Sequence, residues 1–199
     1  MGKTKYLRDV LALFEKSPIV NYDSIKRIIY GKKKAGNYTK KLIYVLLSKG
    51  KIKRLAKGIY TNKDDISLSV FGFEPSYLGL QNAMSLHNLW EQETIPIIIT
   101  IRKIRTGIRV VFGGNVLVRK IDKRYLFGFE YYKDGDFYLP YSDIEKTFID
   151  MVYFKEHMDD EVIDNFKEKI NMKKLRDYLN RYPLRFRKMV LRRLKKEYL

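Results

Sequence analysis

The 199-residue chain contains no cysteine, which excludes disulfides, thiolate zinc sites and a cysteine nucleophile. It has two histidines, His87 and His157, too far apart in sequence to form a local ligand pair. It also lacks a long hydrophobic run. The longest, "IPIIITI" from Ile95 to Ile101, is far short of the roughly 20 apolar residues that span a bilayer and reads as a buried strand. The opening "MGKTKYLRDV" has no apolar segment of the kind a secretory signal needs. These absences give the expectation of an intracellular, cytoplasmic protein without a membrane partner.

One further absence is local: between Asp64 and Thr100 there is no Lys or Arg, against five acids. The net charge of +18 is therefore unevenly placed. Met1 to Lys63 carries 17 basic residues against three acids, residues 101–150 carry 10 against seven, and residues 151–199 carry 14 against eight. A step of that size marks a boundary, with "NKDD" as linker between a basic domain, 1–63, and a second domain, 64–199. A concentrated basic module suits a polyanionic partner.

The first domain reads as three helices and a hairpin. Leu7, Val10, Leu11 and Phe14 repeat at helical spacing, and Ser17-Pro18 ends that helix. Ile25, Ile28 and Ile29 mark a second helix, with Asp23 as its expected cap and Gly31 as its stop. A third follows "GKKKAGN", with Asn37 as its expected N-cap and Leu42, Val45 and Leu46 facing inward. After Gly50, two β-type runs flank the turn Ala56-Lys57-Gly58. This is the order of a winged helix-turn-helix.

At about 100° per residue, turning Leu42, Val45 and Leu46 inward points Lys40 and Tyr44 outward, flanked by Asn37, Lys41 and Ser48. That face offers donors and an aromatic ring for phosphates and base edges in a major groove. Lys32, Lys33 and Lys34 precede it as expected phosphate contacts, and Lys53, Arg54 and Lys57 would sit on the wing. Any single charge run is more often a solvated face. Three clusters around one helix-turn-helix favour double-stranded DNA. RNA is disfavoured because no multi-aromatic stacking sheet is evident.

The second domain opens with a helical pattern in "SYLGLQNAMSLHNLW", where Leu80, Ala83, Met84 and His87 share one side. The strand-like runs "IPIIITI", "IRVVFG", "NVLVRKI", "LFGFEYY" and "DFYLPY" follow, separated by turns at Gly107, Gly113-Gly114 and Asp134-Gly135. From Ser142 the chain turns helical, with Ser142 and Glu145 at capping-box spacing and Ile144, Phe148, Met151 and Val152 as the buried stripe. Asn171 starts a later helix through Leu175, Tyr178 and Leu179, and a basic helix runs from Arg185 toward Leu199 with Phe186, Val190 and Leu194 as its apolar edge. The expected class is α+β: an N-terminal winged helix-turn-helix, then a mixed or antiparallel sheet with C-terminal helices.

Signs of catalysis are thin. His87 lies on the apolar side of its helix and reads as a hydrogen-bonded core or boundary residue. Glu145 is accounted for by the capping box, and Lys146 with Asp150 by an ordinary i,i+4 pair. Gly113-Gly114 lacks the spacing of a phosphate loop. A restriction-type nuclease needs a carboxylate two residues before a lysine, and no Asp or Glu here meets that requirement. Asp122 comes nearest, with Arg124, but arginine cannot yield its proton as a base. No enzymatic activity, metal or cofactor is expected.

The segments "KGKIKRLAKGIYTN", "SYLGLQNAMSLHNLWEQETIPIIITIRKIR" and "FGFEYYKDGDFYLPYSDIEKTFIDMVYF" resemble, in that order, the AbiEi family of transcriptional regulators and antitoxins. The resemblance rests on Gly58-Ile59-Tyr60 in the wing, on Ser76, Tyr77, Ala83, His87 and Leu89, and on Glu145-Lys146 followed by Asp150. Asn88 and Ile144 depart from the glycine and proline common in that family. The resemblance implies an autorepressor that binds its own promoter and acts as antitoxin of a type IV toxin–antitoxin system in viral defence. Its toxin would be a nucleotidyltransferase encoded alongside, countered without a stable complex. The alternatives are a DNA-processing nuclease with a basic reader domain and a stand-alone regulator without a toxin.

Overall fold

A computed structural model describes residues 6–29, 35–92 and 94–195; of Ala35 and Gly36 only the backbone is described. The chain forms two compact units. Unit 1 extends to Phe73 and includes Val110–Gly114, and unit 2 takes Glu74–Arg109 and the chain from Asn115 onward.

In unit 1, α1 (Leu7–Lys16) buries Val10 and Phe14, and the extended Ser17 ends it. β1 (Val20–Asn21) leads into α2 (Tyr22–Ile29). The cap is Asn21 rather than the expected Asp23: its side-chain oxygen accepts from the Ser24 N–H at 2.7 Å. Gly31, the expected stop, lies outside the described residues. α3 (Ala35–Ser48) begins two residues before Asn37, so Asn37 is an exposed first-turn residue and not the cap. Gly50, at φ 62°, ends the helix while the Lys51 N–H bonds back to Leu46 O at 2.9 Å.

β2 (Lys53–Ala56) and β3 (Ile59–Thr61) form a hairpin, and β1 joins it to give an antiparallel sheet ordered β1-β3-β2. Val10, Phe14, Val20, Ile25, Ile29, Leu42, Ile43, Leu46, Ile52 and Tyr60 make one core. The inward face of α3 is therefore Leu42, Ile43 and Leu46, with the buried Thr39, while Val45 is only half-buried.

The unit does not end at the charge step. A 3₁₀ segment, Ile66–Phe73, follows Lys63, and Gly72 packs close against Ala56 and the Leu55 backbone. Side-chain packing therefore carries the boundary ten residues past Lys63. Charge marks the surface, and the core decides where a unit closes.

A six-stranded mixed sheet is ordered β6-β7-β5-β4-β9-β8, and most of it belongs to unit 2. The strands are β4 (Ser76–Leu78), β5 (Ile97–Thr100), β6 (Gly107–Val111), β7 (Gly114–Lys120), β8 (Phe129–Asp134) and β9 (Phe137–Ser142). β4 pairs antiparallel with β5 and parallel with β9, placing Tyr77 opposite Ile99 and Leu78 beside Tyr141. The segment expected to be one helix from Ser76 is thus a strand followed by the short α4 (Gln81–Leu86). Pairing on both edges of Ser76–Leu78 outweighs the local periodicity, and Leu80, at φ 55°, breaks the helix before it can extend backward.

Helices α5 (Ile144–Tyr153), α6 (Asp160–Lys169), α7 (Met172–Leu179) and α8 (Leu184–Lys195) complete unit 2. α5 is central, with every residue from Glu145 to Val152 buried. Its N-cap is Asp143, whose side chain accepts from the Lys146 N–H at 2.8 Å, so the expected Ser142–Glu145 capping box does not form. Glu145 instead accepts the Asn171 N–H at 2.8 Å, and Asn171 in turn caps α7 through the Lys173 and Lys174 amides. The molecule is α+β, with N-terminal helices, one antiparallel sheet, one mixed sheet and C-terminal helices.

Candidate nucleic-acid interface

The outward face of α3 follows from its inward one. With Leu42, Ile43 and Leu46 in the core, Asn37, Lys40, Lys41, Tyr44 and Ser48 are exposed. Tyr44 is the extreme case at 71% exposure. A phenol ring left in water on a packed helix gains nothing from the fold. Lys40 lies one turn before it, so the pair offers a cation and a ring with a hydroxyl on one stripe. Lys32, Lys33 and Lys34 lie outside the described residues.

The hairpin residues divide. Lys57 is exposed at the turn beside Gly58, whose φ of 79° suits glycine. Arg54 is exposed, and its guanidinium lies 5.9 Å from the Tyr60 ring centroid, across the ladder. Lys53 is placed differently from Arg54 and Lys57. It is half-buried, ion-paired with Asp64, and its ammonium lies 5.5 Å from the Phe112 ring centroid. Asp64, the first acid after the basic run, neutralises the first cation of β2. Lys49 and Lys51, exposed on the turn between α3 and β2, were not singled out from sequence, although they belong to the same charge run.

The hairpin is fixed to the rest of unit 1. Asn21 pairs with Ile59 and Val20 with Tyr60, and the Tyr22 N–H donates to Gly58 O at 2.7 Å. The strand before α2 and the start of α2 together hold the turn that carries Lys57.

Unit 2 contains a polar centre of which the sequence shows only an ordinary i,i+4 pair. Lys146 and Asp150 are ion-paired with both side chains fully buried, and the Tyr77 hydroxyl donates to the other Asp150 oxygen at 2.7 Å. Burial pushes the Lys146 ammonium down and the Asp150 carboxyl up, with their mutual attraction working against both shifts. The ammonium also lies between the Tyr77 and Phe127 rings, at 5.5 and 5.3 Å from their centroids. Nearby, Asp143 accepts from the Tyr178 hydroxyl at 2.7 Å and pairs with Lys174 at 3.1 Å. Every member has a partner and solvent does not reach Lys146 or Asp150. This centre ties β4, α5 and, through Asp143, α7; it offers no open reacting group.

His87 has Nε2 at 2.8 Å from Ser142 O and its ring edge-on to Tyr132, in keeping with a hydrogen-bonded boundary residue. Among the described residues no group of three or more His, Asp or Glu could hold a metal ion, and no helix is long and apolar enough to cross a membrane.

No family model matches the chain, and no curated protein sequence does. Among solved structures, the chain is similar to the RV2827C protein from Mycobacterium tuberculosis, at a TM-score of 0.57 and 12% identity. The match covers 98% of this chain and 78% of that one. At that identity the likeness is one of fold.

Proposed function

We propose that the chain is a DNA-binding transcriptional regulator that reads its own promoter through unit 1. In this reading unit 1 is a winged helix-turn-helix. Its order of α1, β1, α2, α3, β2 and β3, with the sheet ordered β1-β3-β2, supports that assignment. The observation that carries the proposal is the exposed Lys40–Tyr44 stripe of α3, backed by a full core and followed at once by a basic hairpin. α3 would enter the major groove, and Arg54 and Lys57 would meet the sugar–phosphate backbone.

The second part of the proposal is that unit 2 supplies antitoxin activity against a nucleotidyltransferase toxin. Its support is the resemblance to the AbiEi family. Asn88 stands where that family commonly has glycine, and at φ 53° it takes the left-handed conformation a glycine there would allow.

Both parts have direct tests. Fluorescence anisotropy with the chain's own promoter fragment and a scrambled duplex should show preferential, salt-sensitive binding. No binding even in dilute buffer rejects the DNA reading. Co-expression with a neighbouring nucleotidyltransferase should restore growth of the host, and continued arrest rejects the antitoxin reading.

A further inference from the structure

Unit 2 has a groove of about 650 Å³ between the end of α5 with its following loop and one face of α8. Val152, Met158 and Met189 supply its apolar surface, and Lys155, Arg185, Lys188, Arg192 and Arg193 its cations. Its single acid is Glu156, whose two oxygens are engaged by Arg119 at 2.7 Å and Gln81 at 3.3 Å, so that charge is already answered. Arg193 is committed as well, donating to Met158 O at 2.9 Å and holding the groove floor.

The remaining cations are not so committed. Among the described residues no carboxylate pairs with Lys155, Arg185, Lys188 or Arg192. Arg185 and Lys188 stand at i,i+3 and Lys188 and Arg192 at i,i+4, spacings at which like charges repel along a helix. Met189, exposed at 46%, sits among them. α8 thus keeps an apolar side chain exposed beside cations that, among the described residues, no carboxylate neutralises. The fold gains nothing from that arrangement. A ligand carrying carboxylates around an apolar side chain would satisfy both parts of it.

We propose that this groove binds an acidic segment of a partner protein, with aliphatic side chains on Val152, Met158 and Met189 and carboxylates meeting Arg185, Lys188, Arg192 and Lys155. Two features favour a peptide over a nucleotide or single-stranded nucleic acid. No aromatic side chain lines the groove, and such ligands draw much of their affinity from base stacking on rings. The cations from Arg185 to Arg192 also spread over about 10 Å of helix instead of converging on one point, which suits successive carboxylates along a chain. Thioether side chains adapt readily to different aliphatic partners. The site lies wholly in unit 2 and is independent of the DNA-binding proposal.

The probe is a fluorescein-labelled amphipathic peptide of about three helical turns, with Glu on one side and Leu on the other. Controls replace every Leu by Ser or every Glu by Gln, and ATP and a single-stranded oligonucleotide are tested in parallel. The full chain should bind the Glu/Leu peptide and lose at least about tenfold in affinity to either control peptide. R185E/K188E/R192E and, separately, M189D should each lose the same factor while keeping the parent's melting midpoint. If the triple reversal does not fold, R185Q/K188Q/R192Q takes its place. The proposal is overturned if the Glu/Leu peptide does not bind, or if the Leu-to-Ser peptide binds equally well. It is also overturned if ATP or the oligonucleotide binds more tightly and is lost with the same substitutions.

Discussion

Lys146 and Asp150 stand one turn apart on α5, pair with each other, and expose neither side chain to solvent. Removing one partner of a buried pair leaves an uncompensated charge, whereas removing both removes the problem. Lys146→Met should therefore destabilise unit 2 by about 3–5 kcal/mol. The double variant K146M/D150N, which keeps an acceptor for the Tyr77 hydroxyl, should recover most of that loss. Urea denaturation of the two variants measures it. Equal instability of single and double variants would show that the ion pair is not the source.

The same region sets a limit at alkaline pH. Burial holds the Tyr77, Tyr178 and Tyr182 phenols above their ordinary value, and the Asp150 or Asp143 carboxylate beside each adds to the shift. Lys174 is raised too: its burial acts the other way, but Asp143 and Glu145 outweigh it. A raised folded pKa contributes stability that is complete below the unfolded value and declines as pH climbs toward the folded one. With free phenols ionising near ~10, denaturation midpoints should hold steady around neutrality and fall above about pH 10. Tyrosinate absorbance should show these three phenols resisting titration until unfolding. Early titration of all sixteen tyrosines in the folded chain contradicts it.

On DNA, the proposed interface separates reading from gripping. Lys40→Ala and Tyr44→Ala should weaken the preferred promoter site by more than a random duplex, each by about 1–3 kcal/mol of discrimination if it contacts a base edge. Lys57→Ala should weaken both duplexes alike. Anisotropy titrations on matched duplexes distinguish the two patterns, and uniform losses for all three variants would remove the base-reading role of α3.

Asp64 offers a gain-of-affinity test. Its carboxylate pairs with Lys53 on β2, so Asp64→Ala should release that cation to the polyanion. Affinity for duplex DNA should rise severalfold, and the log–log salt slope should steepen by about one unit from a parent value near −5, expected if about six phosphates are neutralised. An unchanged slope places Lys53 away from the DNA path.

Sequence periodicity located α1, α2, α3, the strand runs and the last helix, because each has a residue stripe that only one geometry can bury. Three features were hidden for identifiable reasons. Ser76–Leu78 reads as helix because its neighbours Leu80, Ala83 and Met84 carry helical spacing, while its strand state depends on β5 and β9, which are distant in sequence. Lys146 and Asp150 are at the spacing of an ordinary i,i+4 pair, and nothing local reveals that both are buried, with the Tyr77 and Phe127 rings against the Lys146 ammonium. The charge step at Lys63 follows composition and misses the 3₁₀ segment, whose Gly72 packs back on β2. On the candidate interface, the exposed stripe of α3 was legible because it is the complement of a core. The state of Lys53 was not, since its partner Asp64 follows on the far side of a strand and turn.

The bond from the Tyr22 amide to Gly58 O bears on how a ligand would meet unit 1. A free two-stranded arm would have to give up its swing before it could press on anything. Here the turn carrying Lys57 is moored to the start of α2, and that loss is settled when the chain folds. Whatever unit 1 binds encounters an arm already set at its angle, so little entropy is left to surrender on contact.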